Sequence, residues 1–161
     1  MDAIELLESQ HREVKALFQK CERANGEAKR QLFEKIADAL AVHAAIEEKH
    51  FYPATRSART EELLQEAVEE HLSVKRIVAD LLEMDPAEAQ FDPKIKVLQE
   101  QVEHHVGEEE GELFPRVRKL LSEDELFDLG VVMEDMASDL KAGGSPREAV
   151  PGETGEAAPL Q

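Results

Sequence analysis

His105-Val106-Gly107-Glu108-Glu109 places a carboxylate four residues after a histidine, and His43-Ala44-Ala45-Ile46-Glu47 repeats that spacing. Six residues past its glutamate, each copy carries a proline, Pro53 or Pro115. On a helix, residues i and i+4 lie one above the other, so each segment can offer an imidazole nitrogen and a carboxylate oxygen to one point. Histidine, glutamate and proline are all displaced by 62 residues between the copies, His43 to His105 and so on. Such constancy marks a duplicated unit, and two of these helices facing each other would enclose a metal site.

Working outward, both pairs sit in apolar stripes of helical period. One stripe runs Leu32, Ile36, Leu40, His43, Glu47 and His50 towards Pro53. The other runs Ile95, Leu98, Val102, His105, Glu109, Leu113, Val117 and Leu120, and it selects His105 over His104, which shares a face with Glu100, Gln101 and Glu108. Ahead of each pair stands a helix with one inward histidine. The first opens at an Asp2/Glu5 capping box and carries Ile4, Leu7, His11, Val14 and Phe18 as far as Asn25-Gly26. The third opens at Thr60-Glu61-Glu62 and carries Leu64, Val68, His71, Val74, Val78 and Leu81. Met84 to Asp92 reads as the linker between halves, with Asp92 as cap and Pro93 as the first residue of the fourth helix.

Each half is thus a helix with a lone histidine followed by a helix with H-x-x-x-E. Two halves predict an all-α, up-down four-helix bundle with four histidines and two glutamates facing its middle. The pseudo-repeats span roughly 1–58 and 60–120 within one domain over 1–141. A short fifth helix over 122–140 starts at a Ser122/Glu125 capping box. Residues 142–161 are rich in Gly, Pro, Glu and Ala without periodicity, and are expected to be a disordered tail.

Composition agrees with helices. Aromatic residues are only 4% and tryptophan is absent, while Ala, Leu, Glu, Lys and Gln dominate, a balance unfavourable to sheets. The formal charge of −17 argues against nucleic acid and anionic membranes as partners. With a single cysteine, Cys21, no intrachain disulfide can form, and no stretch has a leader or membrane-span pattern, so a cytoplasmic protein is expected.

A lone inward histidine is ordinarily a hydrogen-bonded core residue. The set differs, because a buried carboxylate is costly unless paired or metal-bound, and Glu47 and Glu109 each stand one turn from an inward histidine. Lys15 and Lys75, each four residues past a lone histidine, are the cations in reach. Six donors exceed what one tetrahedral zinc needs, whereas two ions bridged by both glutamates use them all. Imidazole and carboxylate without thiolate suit iron, manganese or zinc. A competing carboxylate plan rests on Glu8-Ser9-Gln10-His11 and Glu47-Glu48-Lys49-His50, but neither Glu-x-x-His recurs in the second half. His50, its counterpart Glu112, and Tyr52 are candidates for supporting places around the site.

The alternation of lone His and H-x-x-x-E over residues 1–120 resembles the hemerythrin-like family, specifically its HHE cation-binding domains. The resemblance implies two iron ions, with His11, His43, His71 and His105 as terminal ligands. Glu47 and Glu109 would be bridging carboxylates, with an oxo or hydroxo group completing the bridge. The chain departs from the oxygen carriers of that family. It lacks a second histidine four residues from His71, where Ala67 and Lys75 stand, and the fifth residue after His105 is Glu110 rather than aspartate. The function expected is binding or sensing of a small diatomic ligand, oxygen or nitric oxide, or of redox state, through a partner protein. The alternative is an enzyme reducing peroxide or nitric oxide, or one handling iron.

Overall fold

A computed structural model describes residues 1–160. Five α-helices in chain order make the bundle: α1 (Ala3–Arg23), α2 (from Gly26–Ile46), α3 (Glu61–Leu82), α4 (from Phe91–Glu108) and α5 (Glu123–Ala142). Among the described residues there is no strand. Both expected capping boxes form. Asp2 accepts from the Glu5 N–H at 2.8 Å and Ser122 Oγ from the Glu125 N–H at 3.1 Å. Gly26, the first residue of α2, takes φ +57, a left-handed conformation open to glycine.

The prolines have a local consequence. Pro53 has no N–H for the carbonyl four residues back, and its ring needs room there. α2 and α4 therefore widen into single π-helical turns, Glu47–Phe51 and Glu109–Leu113, before resuming as Tyr52–Thr55 and Phe114–Leu120. In these turns the Tyr52 N–H reaches the Glu47 carbonyl, and the Phe114 N–H reaches that of Glu109. Residues five apart then lie on one face. Tyr52 joins Glu47 inside the bundle and Phe114 joins Glu109, again 62 residues apart.

Two apolar layers flank the inward polar residues. One contains Ile4, Leu7, Ile46, Phe51, Leu64, Leu113 and Val117. The other contains Phe18, Phe33, Ile36, Val78, Leu81, Phe91 and Leu98. The histidines and glutamates sit between them, buried from solvent by the packed layers on both sides.

One helix boundary differs from expectation. α4 starts at Phe91, not after an Asp92 cap, because Phe91 is fully buried edge-on against Phe33 at 6.0 Å, while Asp92 turns out to Lys29 at 2.8 Å. Thr60 precedes α3 without capping it; its hydroxyl donates to the Thr55 carbonyl at 2.8 Å instead. Leu120, last in its stripe, is exposed.

The expected disordered tail is the larger correction. Pro146–Glu153 forms a 3-10 helix against α2 and α3, with Val150 buried in the second apolar layer. Arg147 fastens it, its N–H and guanidinium both bonding Asp38 at 2.9 Å. One buried side chain and a few ion pairs to α2 and α3 lay down a segment too short for any periodic signal.

α5 packs on its own bundle. A Cβ on Gly130 would stand 2.7 Å from the Met1 carbonyl oxygen and 2.8 Å from the Asp2 carbonyl carbon, so only glycine lets α5 approach the start of α1 this closely. Gly130→Ala is expected to destabilise the protein by about 1–3 kcal/mol, because backbone must move; urea unfolding measures it.

Candidate metal centre

The four helices bring six inward side chains to one place. His11, His43 and Glu109 form one buried group of donors, and Glu47, His71 and His105 form a second. In the first, His11 Nε2 lies 3.1 Å and His43 Nε2 3.8 Å from Glu109 Oε1. In the second, His71 Nε2 lies 3.0 Å and His105 Nε2 3.7 Å from Glu47 Oε1. The carboxylates link the groups. Glu47 Oε1 is also 3.2 Å from His43 Nε2, and Glu109 Oε2 is 3.4 Å from His105 Nε2. Each glutamate thus touches histidines of both groups.

All four rings present Nε2 inward because Nδ1 is held from behind. His11 Nδ1 donates to Glu110, His43 Nδ1 to Gln10, His71 Nδ1 to Glu48 and His105 Nδ1 to Glu70, each at 2.7 Å. The three carboxylates and the Gln10 amide oxygen only accept, so each Nδ1 carries a proton, and in the neutral ring the Nε2 lone pair is free for a cation. The four supports follow the internal repeat. The residue before each lone histidine holds the other histidine of its own half, and the residue after each inward glutamate holds the lone histidine of the other half.

Sequence reasoning missed these four supports. It assigned supporting places to His50 and Glu112, but among the described residues neither bonds a site histidine, and Glu112 is exposed. The π turn explains this: by widening, it rotates the residue three past each glutamate away and brings in the residue five past. That residue is Tyr52 in one half. Its hydroxyl donates to Glu109 Oε2 at 2.9 Å and lies 3.2 Å from His71 Nε2 and 3.4 Å from His105 Nε2, inside the donor group. The counterpart Phe114 stacks on His11 with centroids 5.9 Å apart. The second group therefore has a phenol where the first has a phenyl ring. His104 faces outward as expected, between Glu70 and Glu108.

The donor set fits metal ions. His43 Nε2 and Glu47 Oε2 are buried with no hydrogen-bond partner, an arrangement that is costly in a core and suits a cation between them. Lys75, the cation nearest the site, is taken up by Glu48 at 2.9 Å and Glu153 at 3.3 Å, leaving Glu47 and Glu109 to the histidines. Burial opposes charging His43, yet Glu47 and Glu109 outweigh it and raise its pKa to about 9. Burial and Glu109 likewise oppose ionising Glu47, but His43 and His105 pull it down to about 2. Without metal, protons stand in for the missing cations.

A pH dependence follows for the metal-free protein. His43, raised from 6.5, contributes stability fully below pH 6.5, and this is lost as pH climbs through about 9. Glu47, lowered from 4.5, contributes above pH 4.5, and this is lost as pH falls through about 2. The chelated protein is expected to be most stable between these limits and to lose Tm from pH 6.5 to 9, at roughly 2–4 °C per kcal/mol. With metal in place of the protons, that alkaline decline should disappear; thermal unfolding against pH, with and without chelator, checks it.

The comparisons with known proteins bear on the fold and the family. A structure of an HHE cation binding domain-containing protein, the Rv2633c homolog from Mycobacterium kansasii, superposes with a TM-score of 0.76 at 27% identity, covering 93% of this chain and 97% of that one. A protein of Nostoc sp. named DNA nickase is 29% identical over 146 residues. That match takes in 90% of this chain but only 40% of the relative's length. No helix among the described residues is long and apolar enough to cross a membrane. The profile of the hemerythrin HHE cation binding domain matches residues 2–117, and the chain belongs to that family.

Proposed function

We propose that the chain holds two iron ions, bridged by Glu47 and Glu109 and by an oxo or hydroxo group, with His11, His43, His71 and His105 as terminal ligands. The observation that carries this reading is the pair of buried carboxylates, each touching histidines of both donor groups. Bound iron would supply reversible redox change and a place for a small ligand. Tyr52 holds Glu109 and adds an oxygen to the second group, so the first group, which has the Phe114 ring in that place, is the poorer in donors and is where an outside ligand would bind.

On this reading the protein binds or senses oxygen or nitric oxide, and passes the change through the helices to a protein partner. The alternative remains an enzyme that reduces peroxide or nitric oxide. Cutting of DNA is not carried over from the Nostoc relative, because a charge of −17 repels phosphate and the chain spans 40% of that protein. Optical spectra of reduced, iron-loaded protein mixed with oxygen, nitric oxide or peroxide separate the readings. A lasting adduct supports binding, multiple turnovers support the enzyme, and an unchanged spectrum with all three contradicts both.

A further inference from the structure

Beside the inward histidines lies a cavity of about 50 Å³, room for a molecule of a few atoms. Its walls are mostly apolar, with Val14, Leu40, Val74, Val78, Val102 and Val106 among them, and the edges of all four site histidines open into it. Val150 and Glu153 of the C-terminal 3-10 segment line the same cavity, and Val150 is buried there. Polar contacts pin that segment on both sides of Val150. Arg147 pairs with Asp38 at 2.9 Å and Glu34 at 3.3 Å, Glu153 pairs with Lys75 at 3.3 Å, and the Thr154 carbonyl accepts from Arg76 at 3.0 Å. Lys75 in turn bonds Glu48, the acceptor behind His71. The segment that covers the cavity is thereby tied to the support of a site histidine.

We propose that Pro146–Glu153 is the cover of the approach to the metal centre, and that Val150 sets the size of molecule admitted: uncharged molecules of a few atoms, to the exclusion of branched ones. This rests on the two-iron reading for its chemistry, but the cavity itself does not. The one ammonium in the lining, Lys75, is already paired with Glu48 and Glu153, so an anion would shed its water to enter against mostly apolar walls. A valine at the cover fills space by two methyl groups, and a hydrophobic wall discriminates by about 10–200-fold per methylene.

The test uses the full chain and two readouts. After iron content is checked, the reduced loaded protein is mixed with hydrogen peroxide or tert-butyl hydroperoxide, which share a reactive O–O group but differ in bulk. Val150→Ala is expected to speed oxidation of the iron by the bulky peroxide about tenfold, with the rate for hydrogen peroxide changed less than about twofold. An unchanged ratio of the two rates would overturn the proposal. The second readout needs no iron: xenon NMR of the metal-free chain should report uptake that Val150→Phe abolishes by filling the cavity. Uptake insensitive to Val150→Phe overturns it as well. Xenon uptake of the expected kind in a chain that binds no iron would instead remove the two-iron reading and leave the covered cavity standing.

Discussion

Glu109→Gln is expected to lower bound iron from about two ions per chain to fewer than one while the helices remain folded. Glu109 reaches His11 and His43 through Oε1 and His105 and the Tyr52 hydroxyl through Oε2, so its carboxylate is shared by both donor groups. Glutamine keeps the shape but removes the charge and turns an amide towards an imidazole lone pair. Of the two carboxylate bridges proposed, one is then lost. The folded chain tolerates the change because the histidines, held by Gln10, Glu48, Glu70 and Glu110, can give up the protons that balanced the carboxylate. Glu112→Gln, on the exposed surface one turn away, should leave iron content unchanged. Metal analysis beside circular dichroism on the two variants decides; equal iron in both would contradict the bridging role.

Glu48→Ala is expected to affect stability as well as iron. Glu48 accepts from His71 Nδ1 at 2.7 Å and takes the buried Lys75 ammonium at 2.9 Å, so its loss strands a ring proton and leaves the lysine to the half-exposed Glu153. Breaking a buried pair by removing one partner costs about 3–5 kcal/mol, and the partial exposure of Glu48 places the expectation at about 2–4 kcal/mol. Loss of a hydrogen bond behind a ligand histidine weakens metal binding about 10–100-fold. Glu110 holds the equivalent place in the other half, but is more exposed, and among the described residues no lysine pairs with it. Glu110→Ala should therefore weaken iron to a similar degree and cost only about 1 kcal/mol of stability. Denaturant unfolding of the metal-free variants and metal titration of both measure the contrast, and equal stability losses would remove the argument about Lys75.

The inward stripes were legible because one residue per turn on each helix faces the middle, and a polar residue in such a stripe stands out. His11, His43, His71, His105, Glu47 and Glu109 are all buried where their stripes put them. The outer hydrogen bonds were not legible in the same way, since each joins two helices and depends on which neighbours meet. A signal existed all the same. Glu47-Glu48 and Glu109-Glu110 repeat as a pair at the same displacement, and a polar residue, Gln10 or Glu70, precedes each lone histidine. Pro53 is expected near the end of its helix and Pro115 within the stripe that runs on to Leu120, whereas the chain absorbs both in π turns that carry Tyr52 and Phe114 inward. Nothing periodic announces Val150, whose burial depends on a surface built by other helices.

Iron titration of the metal-free protein, with proton release recorded, tests the central claim most directly. The account predicts saturation at about two ions per chain and release of protons as the metal displaces them from groups such as His43, which holds its proton to about pH 9 in the metal-free chain. A folded bundle that binds one ion or none, with no proton released, would contradict it.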